Sequence, residues 1–180
     1  MRKFFRSYVG LLLPAILIIA VDQITKILVQ THLAYGEIWA PWPAMLPYAR
    51  IIHWTNTGVA FGLFQGMGWI FSFFAIAISI AIIYYFPKVP RKDWAIRVAL
   101  VLEMAGAIGN MIDRLRINGA VLDFISIGNF AVFNVADSCI TVGVVFLALG
   151  IINQDRRERE AHISDSGPGE GSGSKGGEKA

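Results

Sequence analysis

The sequence predicts an all-α membrane protein, with four transmembrane helices and a small outward-facing β-element between helices 1 and 2. Three observations carry this. Of 180 residues, 55% are hydrophobic and only 16% charged, against about 25% charged in soluble domains. Four apolar segments approach the roughly 20 residues that a bilayer-spanning helix needs. The basic residues gather at alternate junctions between those segments, as the positive-inside rule requires of a multi-pass chain.

The first segment covers residues 8–29, after Arg2, Lys3 and Arg6. A basic start and an apolar run could be a cleaved signal peptide. However, the run has no small-x-small cleavage site and continues past Asp22, so a retained first helix is predicted. The loop 30–68 is too long for a connector. Its centre, Ala49-Arg50-Ile51-Ile52-His53-Trp54, is rich in strand formers, and Asn56-Thr57-Gly58 follows as a turn signal. Trp39, Trp42, Tyr48 and Trp54 in this loop suit an interfacial aromatic belt.

The second segment, 69–86, carries no charge and ends at Pro87 and Pro90. The third covers 94–112 and the fourth 131–152. Lys88, Arg91 and Lys92 lie between segments two and three, and Arg156, Arg157 and Arg159 follow segment four. With the N-terminal cluster they share one side, which places both termini in the cytoplasm and the loops 30–68 and 113–130 outside. The expected organisation is a membrane domain over 1–159 and a disordered cytoplasmic tail over 160–180, where Gly and Ser dominate and no core can form.

The informative residues are polar ones inside apolar segments, where each charge costs about 2.5–3.5 kcal/mol to insert. Asp22 and Lys26 stand one helical turn apart, as an i,i+4 ion pair would. Segment three ends in Gly106-Ala107-Ile108-Gly109-Asn110-Met111-Ile112-Asp113-Arg114. Its glycines permit close helix approach, and Asp113 with Arg114 reads as a helix-end salt bridge. That pair leaves Asn110 unexplained. Segment four opens Phe133-Asn134-Val135-Ala136-Asp137, where one Asp or Asn would serve as a cap. Asp123, enclosed by Val121, Leu122 and Phe124, is not the usual solvated loop aspartate. Under one topology Asp22, Asn56, Asn110, Asp113, Arg114, Asp123, Asn134 and Asp137 all map to the outer side, so a site opening outward at the membrane surface is predicted. Glu103 lies mid-segment and is not placed in it.

Several chemistries fall away. The one cysteine, Cys139, sits in an apolar run as a packing residue, with no histidine motif near it to make a nucleophile. His32, His53 and His162 lack metal-ligand spacing, so no metal and no cofactor are expected. Basic residues that stand singly or beside apolar runs argue against nucleic acid. Two carboxylates sharing a site can split their proton affinities into an acid and a base. Asp123 and Asp137 flank one short connection and are candidates, but spacing alone does not choose them over Asp22 and Asp113.

The motifs resemble those of lipoprotein signal peptidase (signal peptidase II), a family of aspartyl proteases in bacterial membranes. Asp22-Gln23-Ile24-Thr25-Lys26 resembles its D-Q-x-T-K, and Asn56-Thr57-Gly58-Val59-Ala60-Phe61-Gly62 its N-x-G-x-A-F element. Gly109-Asn110-Met111-Ile112-Asp113-Arg114 is similar to G-N-x-x-D-R, Val121-Leu122-Asp123-Phe124 to V-x-D-F, and Phe133-Asn134-Val135-Ala136-Asp137 to F-N-x-A-D. The five stand in the family's order within residues 10–153.

The resemblance implies that Asp123 and Asp137 are the catalytic dyad. Asn56, Asn110, Arg114 and Asn134 would then position substrate or hold the dyad. Gly58, Ala136, Asp113, Asp22 and Lys26 would support the site. The implied reaction removes the signal peptide from a diacylglyceryl-modified prolipoprotein, just before the lipidated cysteine. The implied setting is the bacterial cytoplasmic (inner) membrane, with membrane lipids as surroundings and a monomer as the working form. Ala105-Gly106 replaces the family's usual Gly-Gly, and the connection from Asp123 to Asp137 is short for the family. A transporter would spread polar groups through the bilayer's depth and show repeat symmetry; neither pattern is present.

Overall fold

The computed structural model describes residues 2–58 and 65–165. The motif residues Val59, Ala60, Phe61 and Gly62, and residues 166–180 of the expected tail, lie outside the described residues. Four helices form the body: α1 (Arg2–His32), α2 (Gly68–Tyr85), α3 (Trp94–Arg116) and α4 (Val135–Asp165). Each is long and apolar enough to cross a membrane.

Helix α3 is the central one, packing against α1, α2 and α4. Its contact with α4 is close because glycines line it. A Cβ on Gly106 would come within 2.5 Å of the Ala136 carbonyl and 2.6 Å of Ile140. One core cluster joins Leu11 and Ala15 of α1, Ile82 and Phe86 at the end of α2, and Val101, Met104 and Ala105 of α3. Outward, large apolar side chains such as Leu17 and Phe73 stay exposed, the arrangement of a chain whose outer solvent is hydrocarbon.

The β-element is larger than the sequence predicts. Strands β1 (Ile38–Trp39) and β2 (Ala49–Asn56) come from the α1–α2 loop, and β3 (Val121–Ile127) from the α3–α4 connection. They form an antiparallel sheet in the order β1-β2-β3. Ile38 pairs with Ile52, Ala49 with Ile127 and Asn56 with Val121; the β2–β3 register shifts between Ile51 and Trp54. Under the sheet, Val29, Leu122 and Phe124 make a second core cluster. Trp39, Trp42, Tyr48 and Trp54 are all exposed at this end, and Trp54 stacks on Tyr35.

At the opposite end, Arg97 donates to the Phe86 and Val89 carbonyls and to Ser7 Oγ. There, too, buried Asp93 pairs with Arg157. This pair holds the stretch of α4 beyond residue 152, where the sequence predicts the helix to end. Helix α4 also begins four residues later than predicted, at Val135 rather than 131, because Asn134 caps it.

Candidate active site

The site is built at the sheet end of the bundle, and α4's first turn organises it. Asn134 occupies the N-cap. Its Oδ1 accepts from the Asp137 N–H at 2.8 Å, and Asp137 Oδ2 accepts from the Asn134 N–H at 3.2 Å. This reciprocal pair is a capping box, so both residues take part where the sequence predicts a single cap, and Asp137's carboxylate is oriented by it. Asn134 Nδ2 also donates to Asp123 Oδ1 at 2.8 Å and to Asn110 Oδ1 at 3.1 Å. One asparagine therefore bonds both aspartates, and it is completely buried.

Asp123 arrives on β3. Asn56 pairs with Val121, which puts Asn56 and Asp123 diagonally on one face of the sheet. Asn56 Nδ2 donates to Asp123 Oδ2 at 3.2 Å. Gly58 donates its N–H to Asn56 Oδ1 at 2.9 Å, closing the turn that the sequence signals. Burial first, and the neighbouring Asp137 carboxylate second, push Asp123 up to about 7, against the hydrogen bonds from Asn56 and Asn134 and the charge of Lys26. From α3, Asn110 Nδ2 donates to Asp137 Oδ1 at 2.7 Å.

Behind this layer lies a buried ionic cluster. Lys26 Nζ is 2.9 Å from Asp22 Oδ2 and 2.8 Å from Asp113 Oδ2, and it donates to Asn110 Oδ1 at 3.2 Å. The i,i+4 pair expected in α1 is thus present. The expected Asp113–Arg114 bridge is replaced by Asp113–Lys26. Adjacent helix residues diverge by about 100°, so Asp113 points at α1 while Arg114 faces the cavity. Asp113 also accepts from the Leu122 N–H at 3.1 Å, anchoring β3. Asp22 Oδ1 accepts from the Ala136 N–H at 3.0 Å, so a carboxylate of α1 caps a free amide of α4. Ala136 is fully buried. Gly109 leaves the space for this approach: a Cβ there would come within 2.8 Å of Asp22 Oδ2 and 3.2 Å of the Ala136 Cβ.

Asp123 and Asp137 open onto a cavity of about 650 Å³, also lined by Asn56, Gly58, Asn110 and Arg114. Its remaining wall is mainly apolar, with Phe71, Phe74 and Ile78 of α2 and Ile140 of α4. Arg114 lies over the Phe71 ring, 5.4 Å from its centroid. A volume of this size suits a peptide-sized ligand, and the apolar wall suits an apolar one.

All eight residues mapped to the outer side therefore converge on one end. Gln23 is an addition: its Nε2 donates to Asp22, Asp113 and the Gly109 carbonyl. Its place beside Asp22 in an apolar run was the available signal. The apolar wall of α2 gave none, because a cavity-lining Phe and a lipid-facing Phe look alike in sequence. His53 stays outside, bonded to the Leu33 carbonyl. Glu103 also stays outside, its Oε1 buried without a hydrogen-bond partner among the described residues. It sits in a notch left by Gly143, where a Cβ would come within 2.9 Å of it. No group of three or more metal-ligating residues occurs among the described residues.

This arrangement has close counterparts. The chain is 39% identical over 142 residues to the lipoprotein signal peptidase of Desulfitobacterium hafniense, covering 78% of this chain and 91% of the relative. It is 40% identical over 148 residues to that of Shouchella clausii, covering 82% and 95%. For the Staphylococcus aureus protein the figures are 32% over 156 residues, 84% and 93%. Among solved structures, a bacterial membrane enzyme superposes with a TM-score of 0.72 at 33% identity, covering 79% of this chain and 87% of the other. The family model for signal peptidase (SPase) II matches residues 14–153, a span that begins before Asp22 and ends after Asp137. The chain belongs to the signal peptidase II family.

Proposed function

We propose that this chain is a membrane-embedded aspartyl endopeptidase that removes the signal peptide from diacylglyceryl-modified prolipoproteins, cutting before the lipidated cysteine, with Asp123 and Asp137 as its catalytic pair. The observation that carries the reading is Asn134. A single buried residue hydrogen-bonds both carboxylates at the mouth of an apolar cavity, and two carboxylates so placed can divide acid and base work. One activates a water that attacks the scissile carbonyl, while the other protonates the leaving amine. Asn56, Asn110 and Asn134 hold the pair. Arg114 faces substrate from the cavity wall, and the apolar wall of α2 and α4 receives the signal peptide.

The family supports prolipoproteins as the substrate class, and the same reading includes membrane lipids as surroundings and a monomeric working form. The protein resides in the bacterial inner membrane, with both termini cytoplasmic and the site facing outward. Lys88, Arg91, Lys92, Arg156 and Arg159 at the end opposite the site support that orientation. Residues 1–159 constitute the peptidase domain, and 160–180 a tail outside it, whose first residues, expected to be disordered, instead continue α4 to Asp165.

The deciding experiment is cleavage of a lipid-modified prolipoprotein by purified wild type, Asp123→Asn and Asp137→Asn. Wild type cleaves before the cysteine and neither variant turns over. Retained turnover in either variant removes that residue from the pair. Unlipidated precursor is cut far more slowly, and equal rates on both precursors would contradict the substrate class.

A further inference from the structure

We propose that Lys26 is a positioning residue that acts through Asn110 to keep Asp137 as the ionised member of the pair, leaving Asp123 to carry the proton. The inference rests on the aspartyl peptidase reading above and extends it to the division of roles.

An asparagine amide can present either its oxygen or its NH2 group to a neighbour, and what fixes the choice is the partner on its other side. At this site each choice is fixed by a donor that cannot reverse. Asn56 Oδ1 accepts from the Gly58 backbone N–H, and Asn134 Oδ1 from the Asp137 backbone N–H. Asn110 Oδ1 accepts from the Lys26 ammonium and from Asn134 Nδ2, and the charged donor makes the stronger of the two bonds. Lysine offers three donors and no acceptor, and here all three are engaged, by Asp22, Asp113 and Asn110. Each asparagine must therefore turn its NH2 toward an aspartate.

The two aspartates are not equivalent under this scheme. Asp137 Oδ1 faces Asn110 Nδ2, and its Oδ2 faces a backbone N–H in the first turn of α4, where the helix dipole favours negative charge. Asp123 lies on a strand, with amide donors alone. The charged groups that act on Asp137 are Asp123 from β3, Arg114 from α3, and Asp22 and Lys26 from α1, with Asp113 behind them on Lys26. In the cluster of Lys26, Asp22 and Asp113 one cation faces two carboxylates. Attraction from the cluster's net charge therefore does not hold Asp137 ionised; the directed hydrogen bonds do. Asp137 then accepts the proton of the attacking water, and Asp123 gives its own to the leaving nitrogen.

The test uses the full chain in detergent or lipid with a lipidated precursor peptide. Lys26→Met combined with Asp22→Asn removes the charged donor to Asn110, leaving only Asn134 Nδ2 on its oxygen, while preserving the cluster's net charge, and Asn at 22 keeps an oxygen for the Ala136 N–H. The expected result is an acid limb of the kcat profile moved up by about one pH unit, with kcat about tenfold lower on that limb and KM within about twofold. A lower kcat with an unmoved limb, or a loss confined to KM, overturns the proposal. Infrared spectra of wild type, Asp123→Asn and Asp137→Asn give a reading that does not need the Lys26 variant to fold. In a Glu103→Gln background, which removes a carboxyl group whose Oε1 is buried without a hydrogen-bond partner among the described residues, the carboxylic-acid carbonyl band should vanish in Asp123→Asn and persist in Asp137→Asn; the reverse overturns the assignment. Absence of cleavage by wild type would instead strike at the proposed function, and the infrared bands would still decide which aspartate holds the proton.

Discussion

At the scale of single residues, Asp123 sets the pH behaviour. A raised carboxylate favours the neutral form in the folded state. Its contribution to stability is present at low pH and lost as pH rises through the folded value, about 7. The thermal midpoint of wild type should therefore fall between about pH 4 and about pH 7 and level off above that, and Asp123→Asn should lack that component. Scans at the two pH values check this, and equal slopes would contradict it. If Asp123 supplies the leaving group's proton, turnover declines as pH rises through about 7. Asn134 offers a second measurement. A cap replaced by Ala costs about 1 kcal/mol, but Asn134→Ala also takes the Nδ2 donor from Asp123 and unties the first turn that orients Asp137. Its kcat should fall by about a hundredfold, and a loss explained by unfolding alone would refute the bridging role. Much of this residue layer was legible: Asp and Asn in apolar runs are anomalies that topology gathers on one side. The partners were less so. The sequence suggests Arg114 for Asp113, whereas the fold supplies Lys26, since a neighbour in sequence points away on a helix and a residue 87 positions distant does not.

At the scale of elements, the helices were readable from length and polarity, while the strands were only half so. β2 carries turn chemistry at its end, and Asn56 and Gly58 announce it. β3 is a short apolar run that is strand-like only because β2 pairs with it, and periodicity cannot separate such a run from helix. The same limit placed the start of α4 too early, because apolar residues 131–133 look helical until Asn134 is seen to cap. The α1–α3–α4 junction has little slack. Gly109→Val should destabilise by about 1–3 kcal/mol and abolish turnover, since the new side chain would displace Asp22 from the Ala136 amide. Denaturation and activity measured together check this; an active, stable variant would show that the approach tolerates a side chain.

At the scale of the molecule, the fold is apolar on its outer surface over much of its length, and the buried polar groups of the site gather at the sheet end. Orientation can be tested with Cys139→Ala carrying one new cysteine at Arg156. An impermeant maleimide should label it only after the cytoplasmic face is opened, and labelling of intact cells or spheroplasts would invert the topology. The site draws on every part of the chain: Asp22 and Lys26 from α1, Asn56 from β2, Asn110 from α3, Asp123 from β3, and Asn134 and Asp137 at the head of α4. During synthesis the ribosome delivers these in that order. Until α4 enters the bilayer, Asp123 lacks Asn134, and Asp22 has no amide to cap. A half-made chain can therefore sit beside other nascent precursors in the translocation machinery without cutting them, and activity begins only with the last helix.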